Sequence, residues 1–277
     1  MITGKKSLIS KILWSVLTIF IGFFHFIPLF ISINVAFKPK TDLSSRWTLP
    51  AEFYLKNFSY AAEKAKIILA VQNSLIITIT SIAVIVMIGG MAAYPLARNR
   101  SRFNERILQF VLAVMMVPPL SMLVPLVTIM TRLGAVSTYW GIIVVLVTFQ
   151  LPISIFLYSS FIRTIPGELD EAALIDGCSK FTIFYKIILP LLKPITATVI
   201  ILTGVAIWND YQFSLFLLQS PRMRVVTLAV STFFAQSSSN LGAAAAAALI
   251  AVMPIALLFL FLQRYFIQGM VDSAVKG

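Results

Sequence analysis

Hydrophobic residues form long runs along this chain, and polar residues gather between the runs. Each run exceeds the roughly 20 residues that cross the hydrocarbon core of a bilayer as an α-helix. Six such runs are predicted to span a membrane: 12–37, 67–97, 107–131, 139–162, 195–218 and 241–263. The pattern therefore predicts an all-α integral membrane protein, with six transmembrane helices in a single domain over 1–277.

Proline occurs inside several of the predicted spans. Because proline has no backbone N–H, it removes one helix hydrogen bond and permits a bend. These residues are Pro28, Pro95, Pro118, Pro119, Pro125, Pro152 and Pro254. A kinked bundle is therefore predicted, and bent helices suit a protein that opens alternately to two sides of a membrane.

Composition supports a membrane setting and excludes most cofactor chemistry. Hydrophobic residues make up 59% of the chain and charged residues only 12%, whereas soluble domains carry about 25% charged residues. One Cys and one His exclude a disulfide framework, a Cys-rich zinc site and a di-histidine metal centre. No metal site is expected.

The basic residues predict the orientation. The formal charge is +12, which we assign to anionic lipid head groups and loop topology, with no nucleic acid as partner. With both termini in the cytoplasm, the cytoplasmic segments hold more Lys and Arg than the outer ones. The cluster from Arg98 to Arg106 is the strongest cytoplasmic marker.

The polar segment 163–194 between the fourth and fifth spans is longer than a simple connector. Pro166 and the acidic residues after it suit the start of a helix, and Gly177 is a natural stop. A second helix is predicted from about Lys180 to Pro190, so the product is two short helices bent at a glycine. From composition alone, this element could equally be an interfacial helix lying on the lipid surface.

The lettering of this segment resembles the EAA loop of permeases from ATP-binding-cassette (ABC) importers. Glu171-Ala172-Ala173 is followed after three residues by Gly177, and after nine more by Ile187-Ile188-Leu189-Pro190. Every fixed position of the family pattern agrees. The resemblance implies a type I ABC importer permease whose loop forms a coupling helix docked in a cytoplasmic ATPase subunit. The residues implied in coupling are Glu171, Ala172, Ala173, Asp176, Gly177, Ile187, Leu189 and Pro190.

Two further segments resemble the carbohydrate branch, in particular the maltose-type second permease. Trp208-Asn209-Asp210-Tyr211 is similar to a carbohydrate permease element in the fifth span, and the end of the chain, Gln263–Gly269 with Ala274–Gly277, is similar to that permease's C-terminus. Asp272-Ser273 departs from the small residues usual there. The resemblance implies import of a di- or oligosaccharide.

Four polar residues of the spans are candidates for the translocation pathway. A charge within a span is costly in lipid, so Asp210 should face protein or water. The alternative is that these side chains only hold helices together by hydrogen bonds. The candidates are Asn73, Gln150, Asn209 and Asp210.

The resemblance also implies partners. The outer loop Gln236-Ser237-Ser238-Ser239-Asn240 corresponds to a loop that reaches into the extracellular or periplasmic solute-binding protein, although it could be a plain loop. A second permease and two ATPase subunits complete the expected complex in the bacterial cytoplasmic membrane. The chain has no G-x-x-x-x-G-K-[ST] loop, so ATP and Mg²⁺ are expected on the partner ATPases, and this chain is expected not to be an enzyme.

Three alternatives compete with a carbohydrate importer. An ABC permease for a polyol, a sugar phosphate or a polyamine would share all of these features. A secondary transporter or channel would need intramembrane ionisable residues, for which only Asp210 and His25 qualify, and the EAA lettering would be unexplained. A membrane-embedded hydrolase or transferase would need a cluster of catalytic side chains, and the spans offer none.

Overall fold

The computed structural model describes residues 8–99, 101–235 and 240–275, and the regular structure among them is helical, without any strand. The helices are α1 Leu8–Ala36, α2 Lys56–Lys64, α3 Ile67–Arg98, α4 Arg102–Val114, α5 Leu123–Arg132, α6 Tyr139–Ile162, α7 Glu168–Ile175, α8 Lys180–Ile183, α9 Leu189–Leu191, α10 Lys193–Trp208, α11 Gln212–Leu217, α12 Val226–Ala235 and α13 Leu241–Val275. A π-helical turn, Phe184–Ile188, joins α8 to α9, and 3₁₀ turns occupy Pro119–Met122 and Pro221–Met223.

Four of the described helices are long and apolar enough to cross a membrane without interruption. They contain Ser10–Ala36, Ile67–Arg98, Tyr139–Ile162 and Leu241–Gln263, which match four predicted spans closely. Pro28, Pro95, Pro152 and Pro254 lie inside these helices, which continue through them. Most side chains of α1 are exposed and apolar, as expected for a helix with lipid as solvent.

The predicted span 107–131 is not one continuous helix. α4 ends at Val114, and the helical stretch Pro119–Arg132 continues at 89° to it. Pro118 ends the break and Pro119 begins the next stretch, and neither proline has a backbone N–H to donate. This bent pair is either one broken span that crosses the membrane or a re-entrant loop that returns to the side it left.

The predicted span 195–218 is also interrupted. α10 has 16 residues, which rise about 24 Å and fall short of the roughly 30 Å hydrocarbon core. The helix stops at Trp208 and resumes as α11 at Gln212. On its other side, α10 meets the segment Lys180–Leu191 at 75°. Counting each bent pair as one crossing gives up to six spans among the described residues.

The chain divides into two compact units, Met1–Ile67 with Val230–Ile250, and Ile68–Ala229 with Ala251–Gly277. This division does not test whether the units fold separately, so a single domain stays a prediction. In the first unit, buried Asn57 donates from Nδ2 to the carbonyl oxygens of Ala36 and Lys38, both at 2.8 Å. A Cβ on Gly242 would lie 2.5 Å from Asn57 Nδ2, so glycine permits this close approach.

The second unit has an apolar core to which α3, α6 and α10 contribute together with the EAA loop and shorter helices. Ile85, Ile142 and Val199 are completely or almost completely buried there. α3 approaches α6 closely at Gly89, where an added Cβ would lie 2.3 Å from Ser154 Oγ. Small residues at such crossings let helix backbones come together, as is common in membrane proteins. This packing holds the last turns of α3 beside the segment 163–194.

Candidate coupling loop and pathway residues

The first helix of the loop 163–194, which we call the EAA loop, is α7. Glu168, Asp170 and Glu171 lie in its first turn, where negative charge complements the helix N-terminus. At the other end, Gly177 has φ +78°. Gly177 N–H donates to Leu174 O at 3.0 Å and Cys178 N–H to Ala173 O at 2.9 Å. These two bonds form a Schellman motif, so the predicted stop at Gly177 is confirmed.

The second helical segment of the EAA loop begins with a side-chain cap and continues one residue past the predicted stop at Pro190, to Leu191. Ser179 Oγ accepts a hydrogen bond from Thr182 N–H at 3.2 Å. The chain then widens into the π-helical turn, in which Leu189 N–H donates to Phe184 O. Pro190 follows directly and has no N–H to extend a regular ladder. Ile187, Leu189 and Pro190 thus lie where the segment turns towards α10, and π-helical turns often occur at functional sites.

The two faces of α7 differ. Ala173 is buried and packs in the core of the second unit, and Asp170 is largely buried. Glu171 and Ala172 are exposed, and Ile175 is 87% exposed. Of the three letters that give the EAA loop its name, the structure therefore turns the first two outward and the third inward. Asp176 and Gly177 are exposed as well.

The inward face of α7 is tied to the end of α3. Arg98 Nη2 lies 2.8 Å from Asp170 Oδ2, and Arg98 Nη1 donates to Ile165 O at 2.8 Å. Tyr94, one turn earlier in α3, donates its hydroxyl to Asp170 Oδ1. Sequence reasoning missed this arrangement. Arg98 stood out only as an orientation marker and Asp170 only as a first-turn carboxylate, because no local pattern links residues so far apart in the chain.

The pathway candidates occupy different surroundings. Asn73 is 1% exposed, and its Nδ2 donates to the carbonyl oxygens of Arg222 and Arg224, both at 2.9 Å. Its Oδ1 accepts from the Tyr139 hydroxyl at 2.7 Å. Gln150 is half-buried in α6. Asn73 therefore joins α3 to α6 and to the segment before α12, and its amide is well satisfied within the chain.

Asn209 and Asp210 lie in the break between α10 and α11. Asp210 Oδ2 accepts from Ser214 N–H at 2.8 Å and from Ser214 Oγ–H at 2.7 Å. Because this carboxylate caps the first turn of α11, it fixes where the helix restarts. Asn209 is exposed, and its Nδ2 donates to Val205 O at 3.0 Å. Whether the four candidates face a common pathway stays a prediction.

One of the five outer-loop candidates belongs to the part of the chain that the structure describes. Gln236, Ser237, Ser238 and Ser239 lie outside the described residues. Asn240 is described, and its Oδ1 accepts from Ala243 N–H at 3.1 Å, which caps the start of α13. Within the described ranges, no group of three or more His, Cys, Asp or Glu side chains could hold a metal ion.

Comparison with known proteins decides the family. The family described as "Binding-protein-dependent transport system inner membrane component" matches residues 85–272. The chain belongs to this family. It is therefore a multi-pass membrane component of such a transport system, and the predicted resemblance to ABC importer permeases is confirmed.

Two relatives named as sugar permeases are similar over almost the whole chain. The melibiose/raffinose/stachyose import permease of Bacillus subtilis is 44% identical over 254 residues, 91% of this chain and 92% of that protein. A probable permease for starch degradation products from Thermoanaerobacterium thermosulfurigenes is 33% identical over 279 residues, 98% of this chain and 99% of that protein. These relatives are permease subunits and not enzymes by themselves.

A solved structure confirms the fold class. The crystal structure of a bacterial ABC transporter involved in the import of the acidic polysaccharide alginate contains a chain that matches with a TM-score of 0.81. The match covers 96% of this chain and 99% of that one, at 18% sequence identity. The fold is therefore that of a type I ABC importer permease.

Proposed function

We propose that this permease imports a di- or oligosaccharide across the bacterial cytoplasmic membrane, driven by ATP hydrolysis on partner subunits. The outward face of α7 is the main support for coupling to ATPase subunits. Glu171 and Ala172 occupy the family's fixed positions there and are exposed, while the opposite face of the helix is fastened to α3. The relatives named for melibiose, raffinose, stachyose and starch products support a carbohydrate as cargo.

The outward face of α7 has the chemistry of a docking surface. Ile175 is 87% exposed and Leu174 48% exposed, so this face offers two adjacent apolar side chains that a docked partner could cover. Ala172 permits close approach, and Glu171 offers a carboxylate that can accept charge-assisted hydrogen bonds. Asp176 and Gly177 end the helix, and Ile187, Leu189 and Pro190 connect it to α10. We assign this surface to a cytoplasmic ATPase subunit.

The remaining partners follow from the same assignment. A second permease, two ATPase subunits that bind ATP and Mg²⁺, and a solute-binding protein would complete the importer, with both termini of this chain in the cytoplasm. The loop Gln236–Asn240 would contact the binding protein. Asn209, Asp210, Asn73 and Gln150 are the pathway candidates, and among them Asn209 has the most exposed side chain.

The first experiment is a purification of the tagged chain from its host in mild detergent. Mass spectrometry should identify an ATPase subunit and a second permease, and the eluate should hydrolyse ATP. After reconstitution with the co-purified binding protein, uptake of labelled melibiose, raffinose and stachyose is measured against maltodextrin and trehalose. Recovery of the chain without an ATPase, also after crosslinking through a cysteine at position 172, would contradict the proposal.

A charge reversal on the outward face tests the docking surface. Glu171→Lys should leave the chain inserted but lower co-purification of the ATPase at least tenfold. Glu105→Lys is the matched control, because Glu105 is also an exposed first-turn carboxylate but lies on α4. Full ATP-driven uptake by Glu171→Lys would show that the assignment of this surface is wrong.

A further inference from the structure

The end of α3 and the start of α7 are joined by a cluster of polar groups in which Arg98 Nε is buried without a hydrogen-bond partner. Arg98 lies 2.8 Å from Asp170 Oδ2, donates to Ile165 O at 2.8 Å and reaches Pro166 O at 3.4 Å. Tyr94 donates to the second carboxylate oxygen of Asp170. One guanidinium thus holds both the backbone before α7 and the first turn of α7 itself.

This ion pair differs from an ordinary surface pair. The side chains of Arg98 and Asp170 are only 20% and 13% exposed, so water screens them weakly. Removing one partner of such a pair leaves an uncompensated charge, which is more costly than losing an exposed pair. Arg98 is the last residue of α3 and Asp170 lies in the first turn of α7, so each charge is favourable for the dipole of its own helix.

The same face of α3 also contacts the second helical segment of the EAA loop. The rings of Tyr94 and Phe184 lie 5.5 Å apart, and the Tyr185 hydroxyl lies 3.6 Å from Met91 Sδ. Met91, Tyr94 and Arg98 are spaced three and four residues apart, which places them on one face of a helix. Both helical segments of the EAA loop are therefore fastened to the last two turns of α3.

We propose that Arg98, Tyr94 and Asp170 form a joint that passes movement of the EAA loop to α3. The proposal rests on the function proposed above, namely that an ATPase docks on the outward face of α7. When the ATPase moves Glu171 and Ala172, that movement reaches the membrane helices only through the contacts between α7 and α3. The three residues are positioning residues and contact neither sugar nor nucleotide.

The test uses the whole complex in proteoliposomes and measures sugar molecules transported per ATP hydrolysed. Asp170→Asn and Arg98→Gln should still co-purify with the ATPase, with ATP hydrolysis within threefold of wild type, while transport per ATP falls at least tenfold. Arg98→Lys keeps the charge but not the guanidinium fork, so its transport per ATP should lie between those of wild type and Arg98→Gln.

Matched controls and the opposite outcomes complete the design. Arg102→Gln and Glu105→Gln remove exposed charges one turn beyond α3 and should leave the ratio unchanged. If Asp170→Asn fails to assemble, Tyr94→Phe carries the test, since it removes one hydrogen bond and should lower the ratio about threefold. Unchanged transport per ATP in variants that assemble would contradict the proposed joint but leave the proposed docking surface standing. A wild-type chain with no ATPase partner would overturn the docking proposal and the joint together.

Discussion

Gly177 shows how one residue sets the geometry of the EAA loop. Its φ of +78° lies in the left-handed region, yet no heavy atom lies within 4 Å of where a Cβ would stand. Steric room is therefore present, and only the backbone conformation favours glycine. The carbonyl groups of Ala173 and Leu174, which would otherwise end α7 unpaired, are satisfied because the chain turns here.

Gly177→Ala should loosen the end of α7 by about 1 kcal/mol, since an L-residue in the left-handed region costs roughly 1–2 kcal/mol. Hydrogen exchange at the backbone amides of positions 177 and 178 should quicken about fivefold, as expected for that loss. Gly167→Ala is the control, because Gly167 has an ordinary φ of −70° and equally open space. Equal exchange in both variants would show that the turn does not depend on glycine.

Asn73 is the pathway candidate whose surroundings argue most clearly for a supporting role. Asn73→Ala removes an amide that bonds three partners and leaves the Arg222 and Arg224 carbonyls without it, so a loss of about 2–3 kcal/mol is expected. Thermal unfolding in detergent measures this loss. Its exposed neighbour Gln72 supplies the control, Gln72→Ala. A stable Asn73→Ala variant with a changed KM for sugar would favour the pathway instead.

At the scale of elements, glycine again decides how closely two helices approach. Gly89→Ala should destabilise the contact between α3 and α6 by about 1–3 kcal/mol, because the new Cβ would lie 2.3 Å from Ser154 Oγ. Adding Ser154→Ala removes that oxygen and should recover part of the loss. Gly22→Ala meets nothing within 4 Å and should be neutral. Additive losses in the double variant would contradict this packing.

The elements differ in how far the sequence predicts them. α3 and α6 follow within one residue from charge-free runs, because a long apolar helix in lipid needs no tertiary partner to be recognised. The breaks at Pro118 and at Asn209 depend on how neighbouring helices support a bend, which a hydropathy pattern does not record. The pair Arg98–Asp170 was missed for a related reason, since charge alone does not indicate which distant partner a side chain meets.

At the scale of the whole molecule, the number of membrane crossings determines on which side of the membrane each connecting segment lies. α3 has 32 residues, which rise about 48 Å and are enough to cross the hydrocarbon core once. We therefore predict that Leu43 before it and Asn99 after it lie on opposite sides of the membrane. α4, with 13 residues, rises only about 20 Å, so it crosses only if Pro119–Arg132 completes the passage. A six-span bundle then requires Leu133 to lie on the side of Leu43.

Cysteine labelling in intact cells tests this arrangement. In a Cys178→Ala background, Leu43→Cys and Leu133→Cys, at exposed positions, should react with a membrane-impermeant maleimide added outside. Asn99→Cys, also exposed, should react only after the membrane is permeabilised, and the background chain should not react at all. Labelling of Leu133→Cys only after permeabilisation would mean that the bent pair re-enters on the side it left. The reverse pattern at Leu43 and Asn99 would invert the orientation and place the EAA loop beyond the reach of a cytoplasmic ATPase.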